Sequence, residues 1–131
     1  MRRLVFVVAM VCLAVLTAKG QDPVKVDPKH YKVEFENAQV RVLRIHYGPR
    51  EKSVMHEHPA GVPVFLTDQH VRFTYPDGKT EEFSLKAGET WGSSGGKHLP
   101  ENLSAKPFEL ILIELKAKPA AAKPPAKKQS Q

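Results

Sequence analysis

The stretch that decides the fold is Val71–Leu85, "VRFTYPDGKTEEFSL". It contains the turn sequence Pro76–Gly78 between two halves of similar length. Apolar residues alternate with polar ones along both halves, at Val71, Phe73, Tyr75, Phe83 and Leu85. A period of two on both sides of a Pro-Asp-Gly turn predicts an antiparallel β-hairpin.

The segments on both sides of this hairpin also have strand patterns. Tyr31–Asn37 ("YKVEFEN") alternates apolar and charged residues, and Ala38–Gly48 ("AQVRVLRIHYG") changes phase after Val42, which predicts a β-bulge there. Phe108–Leu115 ("FELILIEL") is more continuously apolar, which predicts a central strand. No stretch has a convincing helical period. The sequence therefore predicts an all-β sandwich or barrel over residues 31–115.

Residues 1–20, "MRRLVFVVAMVCLAVLTAKG", have the pattern of a secretory signal peptide. Two arginines precede the apolar run Leu4–Leu16, and the small residues Ala18 and Gly20 stand where cleavage is expected. The run is shorter than the roughly 20 residues of a membrane-spanning helix. An uncleaved anchor is the alternative. We predict a mature chain that starts near Gln21 and is exported to the periplasm or the extracellular space, with no stable membrane span.

The only cysteine, Cys12, lies within the apolar run, so the mature chain has none. Val11 precedes it where a lipoprotein signal has a small residue, so we expect no lipid anchor. Without disulfides, a small exported domain depends on its core, on a metal or on oligomer formation. A homodimer is therefore one expected arrangement.

The charge of the chain is concentrated at its two ends. The formal net charge is +6, but residues 1–20 and the tail Lys116–Gln131 carry eight positive charges, which leaves −2 for residues 21–115. A nucleic-acid groove in the domain is therefore not indicated, and we expect no nucleic-acid partner. The tail, rich in Lys, Pro and Ala, is predicted to be disordered. It is a solubilising spacer or, alternatively, a contact for an anionic envelope surface. Residues 21–30 are predicted to be a linker.

The stretch Val54–Gly61, "VMHEHPAG", contains two histidines two residues apart. In an extended strand His56 and His58 point to the same side, so they form half of a metal chelate. Alternatively, they are two ordinary polar residues on a strand. A third ligand is needed, and the candidate is His98, which follows a glycine-rich stretch.

These residues match parts of two motifs, G-x5-H-x-H-x3,4-E-x6-G and G-x5-P-x-G-x2-H-x3-N. The first is represented by the histidine pair. For the second, the chain has Gly88, Ser93 in place of proline, and then Gly95, His98 and Asn102 in register. The sequence thus resembles a small single-domain cupin of the cupin 2 conserved-barrel type. The resemblance implies a short jelly-roll β-barrel, also described as a double-stranded β-helix. It also implies that His56, His58 and His98 are metal ligands.

The chain departs from the first motif at the glutamate. Val62 and Pro63 occupy the positions where the carboxylate ligand is expected. The resemblance then implies a three-histidine site for a divalent transition metal (Fe, Mn, Ni, Cu or Zn). Such a site holds the metal less tightly and leaves more positions open to water or substrate. Alternatively, the site has lost its metal.

Three further residues are candidates for supporting or additional contacts around the metal: Glu101, Asn102 and His46. The alternatives are a solvated loop glutamate, a turn-forming asparagine and a surface or bulge histidine. His30 and His70 are expected to be exposed.

The sequence supports three functional hypotheses. In the first, the chain is an enzyme, a metal-dependent cupin dioxygenase or isomerase that acts on a small organic molecule. In the second, it is a non-catalytic barrel that binds a ligand or a metal. In the third, the histidines form a hydrogen-bonded barrel mouth without metal. The residues identify the site better than the reaction, because one fold can serve many functions.

Overall fold

A computed structural model describes residues 21–117 of the 131-residue chain. The predicted signal peptide and the predicted tail from residue 118 onward lie outside the described residues. The described part contains one short helix and eight strands: α1 Pro23–Val26, β1 Tyr31–Glu36, β2 Val40–Tyr47, β3 His56–His58, β4 Gly61–Phe65, β5 Gln69–Thr74, β6 Thr80–Leu85, β7 Gly96–Asn102 and β8 Phe108–Leu115. No helix among these residues is both long and apolar enough to span a membrane.

The strands form two four-stranded sheets, in the orders β1-β2-β8-β4 and β3-β7-β5-β6. All strand pairs are antiparallel. Residues from both sheets line one internal cavity. The predicted all-β barrel is therefore confirmed, and its apolar core contains Tyr31, Leu43, Ile45, Tyr47, Phe65, Val71, Leu85, Phe108 and Leu112.

The predicted hairpin and the predicted central strand are both present. β5 pairs with β6 up to Thr74 opposite Thr80. In the turn, Gly78 adopts a φ of 83°, and the Lys79 amide donates to Asp77 Oδ1 at 3.0 Å. β8 lies between β2 and β4. A central strand is enclosed by strands on both edges and faces the interior on one side. Its sequence is therefore a long apolar run.

The predicted bulge lies in a different strand from the one expected. β2 pairs with β8 without interruption, and the register shift occurs in β1, between Val33 and Phe35. β1 has only one neighbour in its sheet, so it accommodates the irregularity without breaking a second ladder. Val33 and Phe35 are exposed, and of the alternating residues in β1 only Tyr31 is buried.

Residues 21–30, predicted to be a linker, instead pack against the barrel. Asp22 caps α1 by accepting a hydrogen bond from the Val24 amide at 3.0 Å, and Pro23 is buried. The Glu57 amide of β3 donates to the Gln21 carbonyl at 2.9 Å. A helix of four residues is too short to produce a periodic pattern, so no sequence signal predicts it.

Candidate metal centre

β3 and β7 bring the three predicted histidines together. His56 lies directly opposite His98 in the β3–β7 pair, and His58 is two residues further along the same face of β3. Their ligand atoms lie within 4.8 Å of one another, and the ring centroids are 4.8 to 5.3 Å apart. His56 and His58 are buried and His98 is half-buried.

Each of these rings has a nitrogen that the described residues do not use. His56 Nδ1 donates to the Val54 carbonyl at 2.8 Å, which fixes the tautomer and leaves Nε2 as the acceptor. His56 Nε2 and His98 Nε2 are buried and have no hydrogen-bond partner between residues 21 and 117. Buried polar atoms normally have a partner, so unpaired lone pairs in one cluster indicate a ligand.

His58 is oriented by a carboxylate that the sequence analysis did not identify. Its Nδ1 lies 2.7 Å from Glu114 Oε1, and the other oxygen of Glu114 accepts from Arg41 Nε at 2.6 Å. Arg41 in turn donates to both carboxylate oxygens of Asp22, at 2.8 and 3.1 Å. Metal-binding histidines typically use their second nitrogen in this way. Glu114 therefore fixes the ring so that Nε2 of His58 is available.

Burial would raise the pKa of Glu114, but hydrogen bonds from His58 and Arg41 outweigh it and hold this pKa below its ordinary value. The carboxylate is therefore ionised at neutral pH. It supplies negative charge next to the cluster, where the family's first motif would supply it as a direct ligand.

The other two imidazoles are held in their neutral form. Burial, and then the charge of His58, lower the pKa of His56 to about 4. Burial, followed by the charges of His58 and His56, lowers the pKa of His98 to about 3. A neutral imidazole is the form that binds a metal, so these two rings are ready to ligate at neutral pH.

Gly95 allows β3 and the start of β7 to approach closely. It has a φ of +79°, and a Cβ at this position would lie 2.5 Å from the His58 carbonyl oxygen. Only glycine tolerates both conditions. This is the glycine that matched the second motif, and its role here is to let the strand that carries His98 reach His58.

Val62 and Pro63 of β4 stand at the positions of the motif's fourth ligand. Pro63 lines the cavity and pairs in register with Leu112. The donor set is therefore three imidazoles, which fits a divalent transition metal that keeps open coordination positions.

An apolar cavity of about 370 Å³ adjoins the cluster, and His58 and His98 form part of its wall. Its aromatic lining residues are Phe65, Phe73, Tyr75, Phe83, Trp91 and Phe108. The indole of Trp91 packs 4.8 Å from the ring of Phe65 and is partly exposed. The volume lies in the range of small-molecule sites.

The structure places the other three candidates away from the three histidines. His46 is exposed on the outer face of β2. Glu101 also faces outward and lies 3.8 Å from Arg72. Asn102 is fully buried, but its amide group binds the backbone of Gly48, Ser104 and Lys106, so it closes a loop.

The expectation that His30 is exposed is wrong, whereas His70 is exposed as expected. His30 is 5% exposed and lies between two carboxylates, with Nδ1 2.6 Å from Asp27 and Nε2 2.9 Å from Glu51. Its ring stacks on Tyr47 at 4.2 Å. Glu51 is 21 residues away in sequence, so no local pattern reveals this contact.

Sequence reasoning could have found Glu114. Along β8 the residues Phe108, Leu110, Leu112 and Glu114 share one parity, and the first three line the cavity. A single carboxylate on an inward parity of an apolar strand signals a buried charge that needs partners.

Comparison with solved structures supports this description. A cupin domain from Bordetella pertussis Tohama I is 26% identical, with a TM-score of 0.62 over 66% of this chain and 92% of that chain. An uncharacterised conserved protein with a double-stranded β-helix domain from Klebsiella pneumoniae is 20% identical, with a TM-score of 0.53 over 65% of this chain and 74% of that one. A cupin 2 conserved barrel domain protein from Salinispora arenicola is 18% identical, with a TM-score of 0.50 over 66% and 75%.

No protein-family model matches the chain, and no curated protein matches it. The two-sheet barrel and its structural neighbours show that the described part of the chain has the cupin fold. Its three-histidine cluster is compatible with a metal-binding cupin.

Proposed function

We propose that this chain is an exported metal-binding cupin. In this proposal His56, His58 and His98 hold a divalent transition metal (Fe, Mn, Ni, Cu or Zn), and a small organic molecule in the apolar cavity reaches that metal. The observation that carries the proposal is the pair of buried Nε2 atoms of His56 and His98, which have no partner among residues 21–117.

Such a metal supplies Lewis acidity and, where it is redox-active, a means of activating oxygen. The residues of the chain do the rest. His56 and His98 remain neutral because burial lowers the pKa of each. Glu114 fixes the ring of His58 and provides negative charge nearby. The aromatic walls exclude water from the bound molecule.

The cavity suits a dioxygenase-like or an isomerase-like reaction. Isomerisation needs a positioned group that moves a proton, and Tyr75, Lys97 and the histidines of the lining carry such groups. Oxygen chemistry at an open metal site needs no such group.

A non-catalytic ligand- or metal-binding module is the second candidate. The absence of a carboxylate at Val62 and Pro63 favours it, because a weaker site suits reversible binding.

Two measurements on one preparation separate these candidates. Metal-free protein is titrated with Fe²⁺, Mn²⁺, Ni²⁺, Cu²⁺ and Zn²⁺ by calorimetry, alongside His98→Ala. We expect one ion per chain in the wild type and none in the variant; absence of binding for the whole panel contradicts the proposal.

The loaded protein is then tested for oxygen uptake with a panel of phenols and diketones. Uptake supports the dioxygenase hypothesis, and ligand binding without uptake supports the binding module.

Export rests on the pattern of residues 1–20, in which two arginines precede an apolar run. Expression of the full chain in a bacterium, followed by cell fractionation and N-terminal sequencing, tests it. We expect a mature N-terminus near Gln21 in the exported fraction, and full-length protein in the cytoplasm contradicts export.

The homodimer stays a prediction, and light scattering of the purified protein checks it.

A further inference from the structure

Gln69 is a buried polar residue that the proposed metal site does not use. It begins β5, where it alternates with the exposed His70, and its side chain lines the cavity. It is only 7% exposed, and its Oε1 is buried without a hydrogen-bond partner among residues 21–117. An unpaired amide oxygen in an apolar wall is unfavourable for the fold alone. Its presence there indicates a hydrogen bond to a ligand.

The surroundings of Gln69 offer no alternative partner. Its cross-strand neighbour is Leu85, and the next inward residues along β5 are Val71 and Phe73. The cavity carries its other polar groups elsewhere, at Tyr75, Ser93, Lys97 and the histidines. The amide of Gln69 is therefore an isolated polar group among apolar cavity-lining residues. Such an isolated group fixes the orientation of a ligand.

Gln69 lies far along the cavity from the three histidines. The ring centroids of His98 and Phe73 are 4.3 Å apart. Gln69 is four residues before Phe73 on the same cavity-lining face of β5, which corresponds to about 13 Å along an extended strand. The metal-facing histidines and the amide thus mark two separate ends of one apolar space.

We propose that Gln69 determines ligand specificity by binding a hydroxyl group at the distal end of an elongated, apolar ligand. A hydroxyl can donate to Oε1 and also accept from the amide nitrogen. The aromatic walls fit a ring-sized or aliphatic body better than a sugar or a phosphate. The proposal rests on the proposed function, in that the opposite end of the same ligand is the one that faces the metal.

The test compares two probes that differ by one group, p-cresol and p-xylene, in metal-free full-length protein. Their affinities are measured by NMR titration for the wild type, Gln69→Leu and the control Gln39→Leu, which makes the same change at an exposed glutamine. We expect the wild type and the control to prefer p-cresol by about tenfold, because a site built to bind a hydroxyl rejects its methyl analogue. Gln69→Leu is expected to reverse the preference.

Thermal unfolding distinguishes this role from a structural one. Gln69→Leu replaces an unpaired amide with an apolar group of similar size, so we expect a melting temperature equal to or above that of the wild type. Equal affinities for both probes in the wild type, or a clear loss of stability in Gln69→Leu, overturns the proposal. The probes need no metal, so these results are independent of whether the histidines bind one.

Discussion

The described part of the chain contains two clusters around buried histidines, one centred on His30 and one formed by His56, His58 and His98. They differ in whether the ring nitrogens have hydrogen-bond partners. At His30 both nitrogens are paired with carboxylates, Asp27 on one side and Glu51 on the other. At the second cluster, His56 and His98 each leave Nε2 without a partner in the described part of the chain. Burial of a histidine therefore does not by itself indicate that it is a metal ligand. A buried ring nitrogen without a hydrogen-bond partner does indicate it.

The charge around the two clusters differs accordingly. Hydrogen bonds from Lys29, the Gly48 amide and His30 lower the pKa of Glu51 to about 2, so carboxylate and partners form a closed set. The His56 and His98 rings instead have low pKa values, because burial and the charge of His58 outweigh the partial compensation that nearby groups give His56. The first cluster ties parts of the fold together, whereas the second is compatible with binding a metal cation.

The two clusters share a wall of two tyrosines. The hydroxyls of Tyr31 and Tyr47 lie 2.6 Å apart. The ring of Tyr47 stacks on His30, and the ring of Tyr31 lies 4.8 Å from that of His56. Variants of one cluster must therefore be checked against the other.

The largest expected effect is loss of metal in the double variant His56→Ala/His58→Ala. Removal of two of three ligands is expected to weaken binding by more than about a thousandfold. Elemental analysis after dialysis checks it, with the exposed His46→Ala as the control. Metal retained by the double variant places the site elsewhere in the chain.

His30→Ala is expected to reduce stability and leave metal binding intact. It leaves the buried Asp27 without its ring partner and opens a space against Tyr47, so we expect a loss of about 2–4 kcal/mol in the free energy of unfolding. Chemical denaturation measures this loss, and His70→Ala serves as the exposed control. If His30→Ala removes the metal without destabilising the fold, the assignment of the two clusters is reversed.

Glu114→Gln is expected to weaken metal affinity by about 10–100-fold, because it removes the charge that orients His58 and pairs with Arg41. Calorimetric titration measures it. The matched control is Glu109→Gln, which changes an outward carboxylate of the same strand that binds Arg44. Similar effects of the two substitutions contradict a special role for Glu114.

The last expected effect is a pH dependence of the stability of the metal-free protein. His56 and His98 have folded-state pKa values of about 4 and about 3, below the ordinary value of 6.5. As the pH falls below 6.5 the unfolded chain binds protons that the folded chain does not. Stability is therefore lost as the pH falls from 6.5 to about 4 for His56 and to about 3 for His98, by at most about 1.4 kcal/mol per pH unit for each histidine. Denaturation curves of His98→Ala are expected to show a shallower slope, and an unchanged slope contradicts the assignment.

The sequence predicted most of the fold and the three histidines that the structure brings together. The hairpin β5–β6 and the strand β8 follow from local alternation and turn chemistry, which act over a few residues. His56 and His58 were found because their spacing matches the strand period. His98 required the second motif, since its position opposite His56 depends on strand pairing.

The supporting residues were missed because their partners are distant in sequence. Glu114 is 56 residues from His58 and 73 from Arg41. His30 and Glu51 are separated in sequence by β1 and β2, and the bulge in β1 depends on where that strand lies in the sheet. Parity along a strand predicts which way a side chain points, but not which element it faces.

The most direct test of the three-histidine metal site is anomalous X-ray diffraction from crystals of the metal-loaded protein. We expect one strong anomalous peak per chain in contact with Nε2 of His56, His58 and His98, and none near His30. A peak between Asp27 and Glu51, or no peak at the three histidines in protein saturated with metal, would contradict it.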